Sequence, residues 1–462
     1  MTLQNRDIGS AGRLGARLAA ALGVAAALGG CAQFKARPLA QGPDLATSAG
    51  ALSVDVSSIR LAALPPHPVD PARGIDPTDA AILAVLNSPD LAARRAAAHV
   101  SAAQVFSAGL LPDPQVLLSA DIPDHPRGLV TAYGITPTID LTALITHSAA
   151  LKAAKATARQ ANLDLLWSEF SIAQQARQYA ITALIDGQKA AVLAQIDAEL
   201  SERARKSALA LSRRDVTATV AGADLAARID ADVQLAATRR DAEKARGQLN
   251  ALIGLSPSVR LTLIDDAGPY DPDPAALQSA LVSLPHRRPD LLALQAGYES
   301  QNANLRKAIL MQFPLLNLGY SRQRDTSAIL TSGIAATVTL PIFNRNQGDI
   351  AVQNATREQL AREYQARLDQ GAADVAQAEA DLSAERADLD RLEAAVPRLE
   401  AEARRARPAF AKGDVDSTAY LAIDQSALKA VVALWDARLA RRQSDIGLET
   451  VLFLPPEEGS RP

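Results

Sequence analysis

The chain has few residues that could do chemistry, and they do not form a reactive group. It contains one cysteine, Cys31, and five histidines. The histidines follow no metal-ligand spacing; they are His67, His99, His125, His147 and His286. No G-x-S-x-G, P-loop or H-E-x-x-H motif occurs. The sequence therefore predicts a protein that is not an enzyme, with no catalytic residues, no cofactor and no metal site.

The chemistry that remains is lipidation of Cys31. Residues 1–30 have the form of a secretory signal, because arginines precede an apolar run, Leu18–Ala27, that is too short to span a bilayer. Cys31 follows Leu28-Gly29-Gly30, which resembles the bacterial lipobox. We expect Cys31 to carry acyl chains, palmitate among them, that anchor the protein. Ala32, in place of aspartate, indicates the outer membrane. The alternative is a buried thiol that happens to follow a signal.

The rest of the composition indicates long packed helices. Of the 462 residues, 48% are hydrophobic, 21% are charged and only 3% are aromatic. The apolar share excludes a disordered chain, and the abundance of alanine, leucine, arginine and glutamate is typical of long helices. A net charge of −3 gives no indication of nucleic-acid binding. Beyond the signal, no apolar stretch is long enough to predict a transmembrane helix.

A tandem repeat organises the chain, because four short segments recur in the same order at nearly constant offsets. Such a repeat predicts two halves of similar structure. The matched pairs are Ser88–Leu91 with Arg288–Leu291, Pro114 with Pro314, Thr136–Asp140 with Leu340–Asn344, and Gly222–Leu225 with Gly413–Asp416, at offsets of 200, 200, 204 and 191 residues.

Each half is predicted to contain a helix, two short strands, a very long helix and a shorter returning helix. A helix of sixty to seventy residues extends roughly 100 Å, which is too long for an ordinary globular domain. Pro397 and Pro408 are expected to kink or interrupt the second long helix near its end. The predicted helices are residues 90–110, 144–212 and 223–253 in the first half, and 290–311, 349–407 and 415–449 in the second.

The predicted strands show a period of two. In the second half, Ile334, Ala336 and Val338 alternate with small polar or apolar residues, and segment 316–321 does the same. The first half repeats the pattern more weakly, in 114–121 and 130–140. An apolar face opposite a small polar face is typical of membrane β-barrels. Two soluble hairpins that cap a helical bundle are the alternative.

Four strands cannot close a membrane barrel, and open strand edges cannot face lipid. Strands in a membrane would therefore have to come from several chains, and three chains would supply twelve.

These features resemble those of the TolC-like outer-membrane efflux channels, the outer component of tripartite export pumps. The resemblance covers residues 76–453, including the internal repeat. Its most specific segment, Thr339–Ile350, is similar to the strand-to-helix junction of the heavy-metal, CzcC-like branch. Asn344 or Asn346 could cap the helix that follows. The expected junction residues are Pro341, which ends strand pairing, Phe343, Asn344, and Gly348, which permits a tight turn.

The resemblance implies a mainly α fold with a small β part. A homotrimer would form a twelve-stranded barrel in the outer membrane, continued by an α-helical tunnel across the periplasm. The implied segments are a lipoprotein signal peptide (1–30), a lipidated extended equatorial segment (31–88), a first repeat (89–253), an equatorial linker (254–289), a second repeat (290–449) and a C-terminal tail (450–462).

The implied function is that of a passive exit duct in the bacterial outer membrane, lipid-anchored and extending into the periplasm. Substrates would arrive from an inner-membrane RND-type pump through a periplasmic adaptor protein. The junction segment favours heavy-metal cations as substrates. Efflux of drugs or organic compounds by the same kind of channel is one alternative, and a periplasmic coiled-coil scaffold or adaptor lipoprotein is another.

The same resemblance places functional residues near the periplasmic tips of the two helical hairpins. Threefold copies of Asp416 or Asp424 could form an acidic ring that selects cations. The residues expected to contact the adaptor or to close the tunnel are Arg213, Arg214, Val220, Gly222 and Asp224 at the first tip, and Arg407, Lys412, Gly413 and Asp414 at the second.

Overall fold

A computed structural model describes residues 34–65, 67–124, 127–265 and 274–455. The predicted signal peptide, Cys31, His125 and the end of the tail lie outside these residues. The chain divides into two units, Met1–Asp44 and Leu45–Pro462, and the helices and strands named below all belong to the second unit.

In the described part of the chain, eight α-helices and four strands follow one another in two similar halves. Short 3₁₀ turns at Ala49–Ala51 and Val56–Ser58 precede them. The first half contains α1 (Pro77–Asn87), α2 (Pro89–Gly109), β1 (Gln115–Asp121), β2 (Ala132–Asp140), α3 (Leu141–Ser212) and α4 (Ala218–Leu252). The second half contains α5 (Pro274–Arg287), α6 (Pro289–Leu310), β3 (Leu315–Arg324), β4 (Leu330–Thr339), α7 (Gln347–Lys412) and α8 (Ser417–Leu452).

Helix starts follow local sequence signals. Asp76 accepts a hydrogen bond from the Asp79 N–H (2.7 Å) at the start of α1, where Asp79 completes a capping box. Asp140 ends β2 and accepts from the Ala143 N–H (3.0 Å), so one residue closes a strand and opens α3. Pro89 and Pro289 occupy the first positions of α2 and α6, where a missing N–H costs nothing.

The two long helices, α3 with 72 residues and α7 with 66, are each roughly 100 Å long at about 1.5 Å per residue. Pro397 and Pro408 do not interrupt the second long helix as expected, because α7 continues through both; a kink at either proline stays a prediction. Each proline removes only one donor from a long hydrogen-bond ladder. Packing against α8 supports this region, since Val396 is buried with Val431 and Leu434.

The strands form one antiparallel sheet in the order β1-β2-β3-β4. Its register places apolar residues on one face across three strands, for example Ile139 opposite Leu318 and Leu318 opposite Ala336. On the other face, Thr138 lies opposite Gly319, which lies opposite Ala335. The alternation predicted from the sequence is therefore present, and the apolar face is exposed along much of its length.

The helices nearest the sheet repeat the order of the strands. α2 packs beside α3, α3 beside α6, and α6 beside α7. Along the chain, α2 leads into β1, β2 into α3, α6 into β3, and β4 into α7, so neighbouring helices adjoin neighbouring strands. At the opposite end α3 pairs with α4 and α7 pairs with α8, and α3 also contacts α8. No helix among the described residues is long and apolar enough to cross a membrane.

Midway along the helices, segments outside the hairpins form a packed layer against α3 and α7. The larger core contains Leu61, Ile82, Phe170, Leu249 and Leu255, and parallel bridges join Ala46 to Leu255 and Ile75 to Leu263. A second core joins α5 to α6, α7 and the end of α8. Leu91 and Leu291, which the repeat matches, are fully buried, one in each core.

Candidate functional site: the hairpin turns and the charged link between them

The two helical hairpins end in the same kind of turn. In turn one (Arg213–Thr217), Arg214 has a left-handed backbone with φ of 66°, and the Asp215 N–H donates to Ala210 O at 2.9 Å. In turn two (Gly413–Asp416), Gly413 has φ of 81°, and the Asp414 N–H donates to Ala409 O at 3.0 Å. A left-handed residue, followed by an N–H that donates to the carbonyl five residues earlier, is the Schellman arrangement that ends many helices.

The next helix begins with a side-chain cap in both turns. Thr217 accepts from the Val220 N–H at 3.4 Å to start α4. Asp416 Oδ1 accepts from the N–H groups of Thr418 and Ala419 at 2.8 and 2.9 Å to start α8. The Asp416 carboxylate is thus bound to the α8 N-terminus, where its negative charge also interacts favourably with the positive end of the helix dipole.

These turns correct the register in which the sequence repeat matches the first hairpin to the second. Arg214 is the counterpart of Gly413, at an offset of 199 (413 − 214), in line with the offset of 200 found elsewhere in the repeat. Gly222, which the sequence match paired with Gly413, lies inside α4, as do Val220 and Asp224. The match failed because glycine was taken as the marker of the turn, whereas turn one uses an arginine at its left-handed position.

A charged link joins the two hairpins of the chain about three turns of helix before turn one. Arg203 on α3 forms an ion pair with Asp224 on α4 (Nε to Oδ1, 2.9 Å) and another with Asp424 on α8 (Nη1 to Oδ2, 2.7 Å). Ser207 donates a further hydrogen bond to Asp224. The side chains of Arg203, Asp224 and Asp424 are 18%, 6% and 27% exposed. One arginine therefore forms ion pairs with two carboxylates, one from each hairpin.

Aromatic stacking extends this link into the second hairpin. The Tyr420 ring lies 5.5 Å from the Arg203 guanidinium carbon, and the Tyr420 hydroxyl accepts from Arg203 Nη1 at 3.0 Å. On its other side Tyr420 stacks on Phe410, with ring centroids 4.8 Å apart. Burial alone would lower the pKa of Arg203, but Asp424 above all, with Tyr420 and Asp224, raises it above its ordinary value. Arg203 therefore keeps its charge at any physiological pH.

Around this link, the four helices leave a groove of about 410 Å³. Arg203, Asp424 and Arg407 line it, together with Glu199, Glu400 and Arg404. Arg407, which the sequence placed at the second tip, lies more than one helical turn before Gly413 and faces this groove. The sequence did not single out Arg203, Tyr420 or Phe410, and no local motif marks them.

The fold matches several solved structures. A crystal structure of CusC that describes transmembrane channel formation is 15% identical, covers 91% of this chain and 99% of its own, and has a TM-score of 0.69. The outer-membrane channel OprN is 17% identical, with coverages of 90% and 98% and a TM-score of 0.70. The Campylobacter jejuni CmeC outer membrane channel is 16% identical, with coverages of 84% and 87% and a TM-score of 0.70. No family model and no curated protein matches the sequence.

The chain has the TolC-like channel fold.

Within this TolC-like fold, the strand-to-helix junction differs in detail from the sequence expectation. Asn346 precedes α7, but its side chain forms no cap and donates instead to Ala308 O on α6 at 2.9 Å. Gly348 lies in the first turn of α7, and the left-handed residues are Arg345 and Asn346, with φ of 45° and 54°. Asparagine tolerates that conformation, so the turn needs no glycine.

The other junction residues lie between β4 and α7 of the TolC-like fold. Pro341 follows the end of β4 and Asn344 accepts from the Gln347 N–H through its carbonyl (3.0 Å), while Phe343 is almost fully exposed.

The remaining predicted residues lie on the surface of the TolC-like fold near the turns. Arg213, Arg214, Lys412, Gly413 and Asp414 are all exposed. Along α4, the residues Leu225, Ile229 and Val233 form an exposed apolar stripe with a spacing of four, which was not predicted from the sequence. Among the described residues, no cluster of three or more histidine, cysteine or acidic side chains is arranged to hold a metal ion.

Proposed function

We propose that this protein is the outer-membrane channel of a tripartite efflux system and acts as a passive exit duct without catalysis. One observation carries the proposal. A four-stranded sheet with an exposed apolar face and a small polar face continues into helices of roughly 100 Å. Such a sheet suits lipid on one side and water on the other. The likeness to CusC, OprN and CmeC, whose structures are described as channels, supports the same role.

The protein would act as a homotrimer. Within the described residues, β1 and β4 each pair on one side only, so the sheet has two open edges. Open edges cannot face lipid, and four strands are too few to close a barrel. Three chains in a ring would pair each β4 with the β1 of the next chain and give twelve strands. The lipid anchor at Cys31 would hold the same assembly at the outer membrane.

The periplasmic end would contact the adaptor and close the resting duct. Exposed charges at the turns, with the apolar stripe Leu225, Ile229 and Val233 beside them, suit the hairpin of a partner that packs helix against helix. The Arg203 link would hold the two hairpins of each chain together in the closed state. An inner-membrane RND-type pump would supply both substrate and energy through that adaptor.

Heavy-metal cations are the proposed substrates, on the resemblance of Thr339–Ile350 to the CzcC-like junction. Drugs or organic compounds are the second candidate substrates, because a duct needs no substrate site of its own. Selectivity for cations by Asp416 and Asp424 stays a prediction, although the structure engages both carboxylates with groups of the same chain. Deletion of the gene should sensitise cells to one of the two substrate classes.

Two measurements test the duct against the remaining alternative, a periplasmic coiled-coil scaffold or adaptor lipoprotein. A channel should migrate as an oligomer on a denaturing gel without heating and as a monomer after heating. It should also conduct ions in planar bilayers. A monomeric protein that stays in solution without detergent and does not conduct would overturn the proposal.

A further inference from the structure

A basic groove lies between α3 and α6, close to the end of the sheet. It has a volume of about 450 Å³ and is lined by Lys152, Lys155, Arg159, Glu299 and Arg306, over a floor of alanines. Four cations and one carboxylate give it a net charge of +3 (4 − 1). Arg159 pairs with Glu299 at 3.3 Å. Lys152, Lys155 and Arg306 form no ion pair with any residue that the structure describes.

The groove lies on the outer face of α3 if the protein is a duct. α3 meets α6 through Ala153 and Thr157, which contact Ser300. At about 100° per residue, Lys152 and Lys155 point roughly 100–160° around the helix from the side of α3 that bears Ala153 and Thr157. Arg60 from the N-terminal segment lines a neighbouring groove that includes Lys155 and Arg159, so the mid-helix layer covers this face. A layer on the inner face would block the duct.

The opposite face of α3 supports the same orientation. It bears small side chains, Ala150, Ala154 and Ala161, which leave room for a lumen. The N-terminal segment and α1 therefore wrap the outside, and the basic groove looks outward on the same side.

The upper end of the groove lies at the height of the headgroup layer of a membrane around the sheet. Ile145 on α3 and Ile309 on α6 are 63% and 40% exposed and mark the lower edge of the apolar surface. Lys152 and Lys155 follow Ile145 by seven and ten residues, and Arg306 precedes Ile309 by three, which places their backbones about 10, 15 and 5 Å below that edge. Headgroup layers are about 5–8 Å thick, and side chains on α3 lean toward its N-terminal, membrane end.

From this placement we propose that the groove binds the phosphate headgroup of an anionic phospholipid in the periplasmic leaflet of the outer membrane. Its acyl chains would lie over the exposed Ile145 and Ile309. Lys152, Lys155 and Arg306, which form no ion pair with described residues, supply positive charge to the anionic phosphate diester. In phosphatidylcholine the quaternary ammonium of the headgroup already balances that phosphate and is repelled by the groove, so the site prefers phosphatidylglycerol. The inference rests on the proposed function, because the membrane position of the sheet sets the height of the groove.

The test uses full-length protein in neutral detergent and three probes: short-chain phosphatidylglycerol, short-chain phosphatidylcholine and inorganic phosphate. Native mass spectrometry counts the bound probes per chain. The variant combines Lys152→Gln, Lys155→Gln and Arg306→Gln. The matched control combines Arg239→Gln, Arg240→Gln and Lys244→Gln, three exposed cations on α4 without an ion pair to described residues. Circular dichroism and the unheated gel verify folding of both.

We expect one phosphatidylglycerol per chain, bound at least tenfold more tightly than phosphatidylcholine. The loss of one cation near an anionic surface weakens binding about fivefold, so the triple variant should bind roughly a hundredfold more weakly. The control should bind as the wild type does. Equal binding by the triple variant, or inorganic phosphate binding as tightly as the lipid, would overturn the proposal.

Conductance separates this inference from the proposed function. The triple variant should conduct like the wild type, because an outward groove does not line the duct. A changed ion selectivity in the variant would place the groove on the lumen and overturn the lipid site while leaving the duct intact. A wild type that binds the lipid but never conducts would instead count against the duct.

Discussion

Asp424→Asn should open the duct, because Asp424 is the only partner through which Arg203 forms an ion pair with the second hairpin among the described residues. Asp424 on α8 binds Arg203 at 2.7 Å, whereas Asp224 on α4 binds it from within the first hairpin. The two carboxylates share one arginine but hold different elements together. Asp224→Asn is therefore the matched control, since it removes a similar charge contact and leaves the link between hairpins in place.

The size of the effect follows from burial. A hydrogen bond to a charged group contributes about 1.5–3 kcal/mol when buried, and an exposed ion pair contributes about 0–1 kcal/mol. Asp424 is 27% exposed, so its link to Arg203 is worth about 1 kcal/mol per chain. Three chains that must part together would lose about 3 kcal/mol, which raises the open-to-closed ratio roughly a hundredfold.

Single-channel recording in planar bilayers measures that ratio directly. We expect brief, rare openings from the wild type and long openings from Asp424→Asn. Asp224 is only 6% exposed, so its replacement should lower thermal stability more than Asp424→Asn does, while openings stay rare. Restoring a carboxylate with Asp424→Glu should recover most of the closed state.

Either of two results would refute the reasoning. If Asp424→Asn has the same open fraction as the wild type, and adding Arg203→Gln changes the open fraction of both proteins equally, then the link does not hold the closed state. If Asp224→Asn opens the duct as readily as Asp424→Asn, the effect comes from loss of charge on Arg203 and not from the connection between hairpins.

Four further substitutions test other parts of the structure. Burial, with smaller contributions from Asp241 and Asp436, raises the pKa of Asp186 to about 6, against a lowering effect of Lys189. The folded chain then holds a proton that the unfolded chain releases between about pH 4 and 6, so stability falls as the pH rises through this window. Asp186→Asn should flatten that fall and raise the free energy of unfolding at pH 7.5 by about 1–2 kcal/mol per chain, because solvent screening reduces the full value of the shift. Thermal unfolding at several pH values measures this, and an unchanged pH profile would contradict it. Arg214→Gly should stabilise turn one and Gly413→Ala should destabilise turn two, because glycine alone adopts the left-handed backbone without strain. Each should change the free energy of thermal unfolding by about 1 kcal/mol, and changes of the same sign in both variants would exclude this cause. Cys31→Ser should abolish labelling with radioactive palmitate while the heat-sensitive oligomer still forms, and loss of the oligomer would give the anchor a part in assembly.

Local patterns were sufficient to predict the four strands and six of the eight helices among the described residues. They missed α1 (Pro77–Asn87), which lies in the segment expected to be extended, and α5 (Pro274–Arg287), which lies in the expected linker. The observed α3 (Leu141–Ser212) differs from the predicted 144–212 only at its start, because Asp140 both ends β2 and caps the helix. The period-two pattern around Ile334 likewise located β4 (Leu330–Thr339). Hydrophobic period and caps depend on neighbours within a few residues, so one sequence contains them in full.

The link between the hairpins could not be predicted in the same way. Arg203 meets Asp224 across 21 residues and Asp424 across 221, on three separate helices. Neither distance follows from a helical period, and buried pairs of this kind depend on how the helices pack. The error in the turn register had a simpler cause. Gly222 looked like a turn residue by type alone, while Arg214 adopts the left-handed conformation that arginine rarely takes.

The matching order of strands and helices has a consequence for assembly. β1 and β4 are the open edges of the sheet, and α2 and α7, which adjoin them, are the outer members of the helical layer. Phe106 on α2 and Val352 on α7 remain exposed in the single chain, at 71% and 60%. In the proposed homotrimer, pairing β4 with β1 of a neighbouring copy would satisfy the backbone groups of both edges. The same step would bring α7 of one chain beside α2 of the next and cover those side chains, so closure of the sheet and closure of the helical tube would have to occur together.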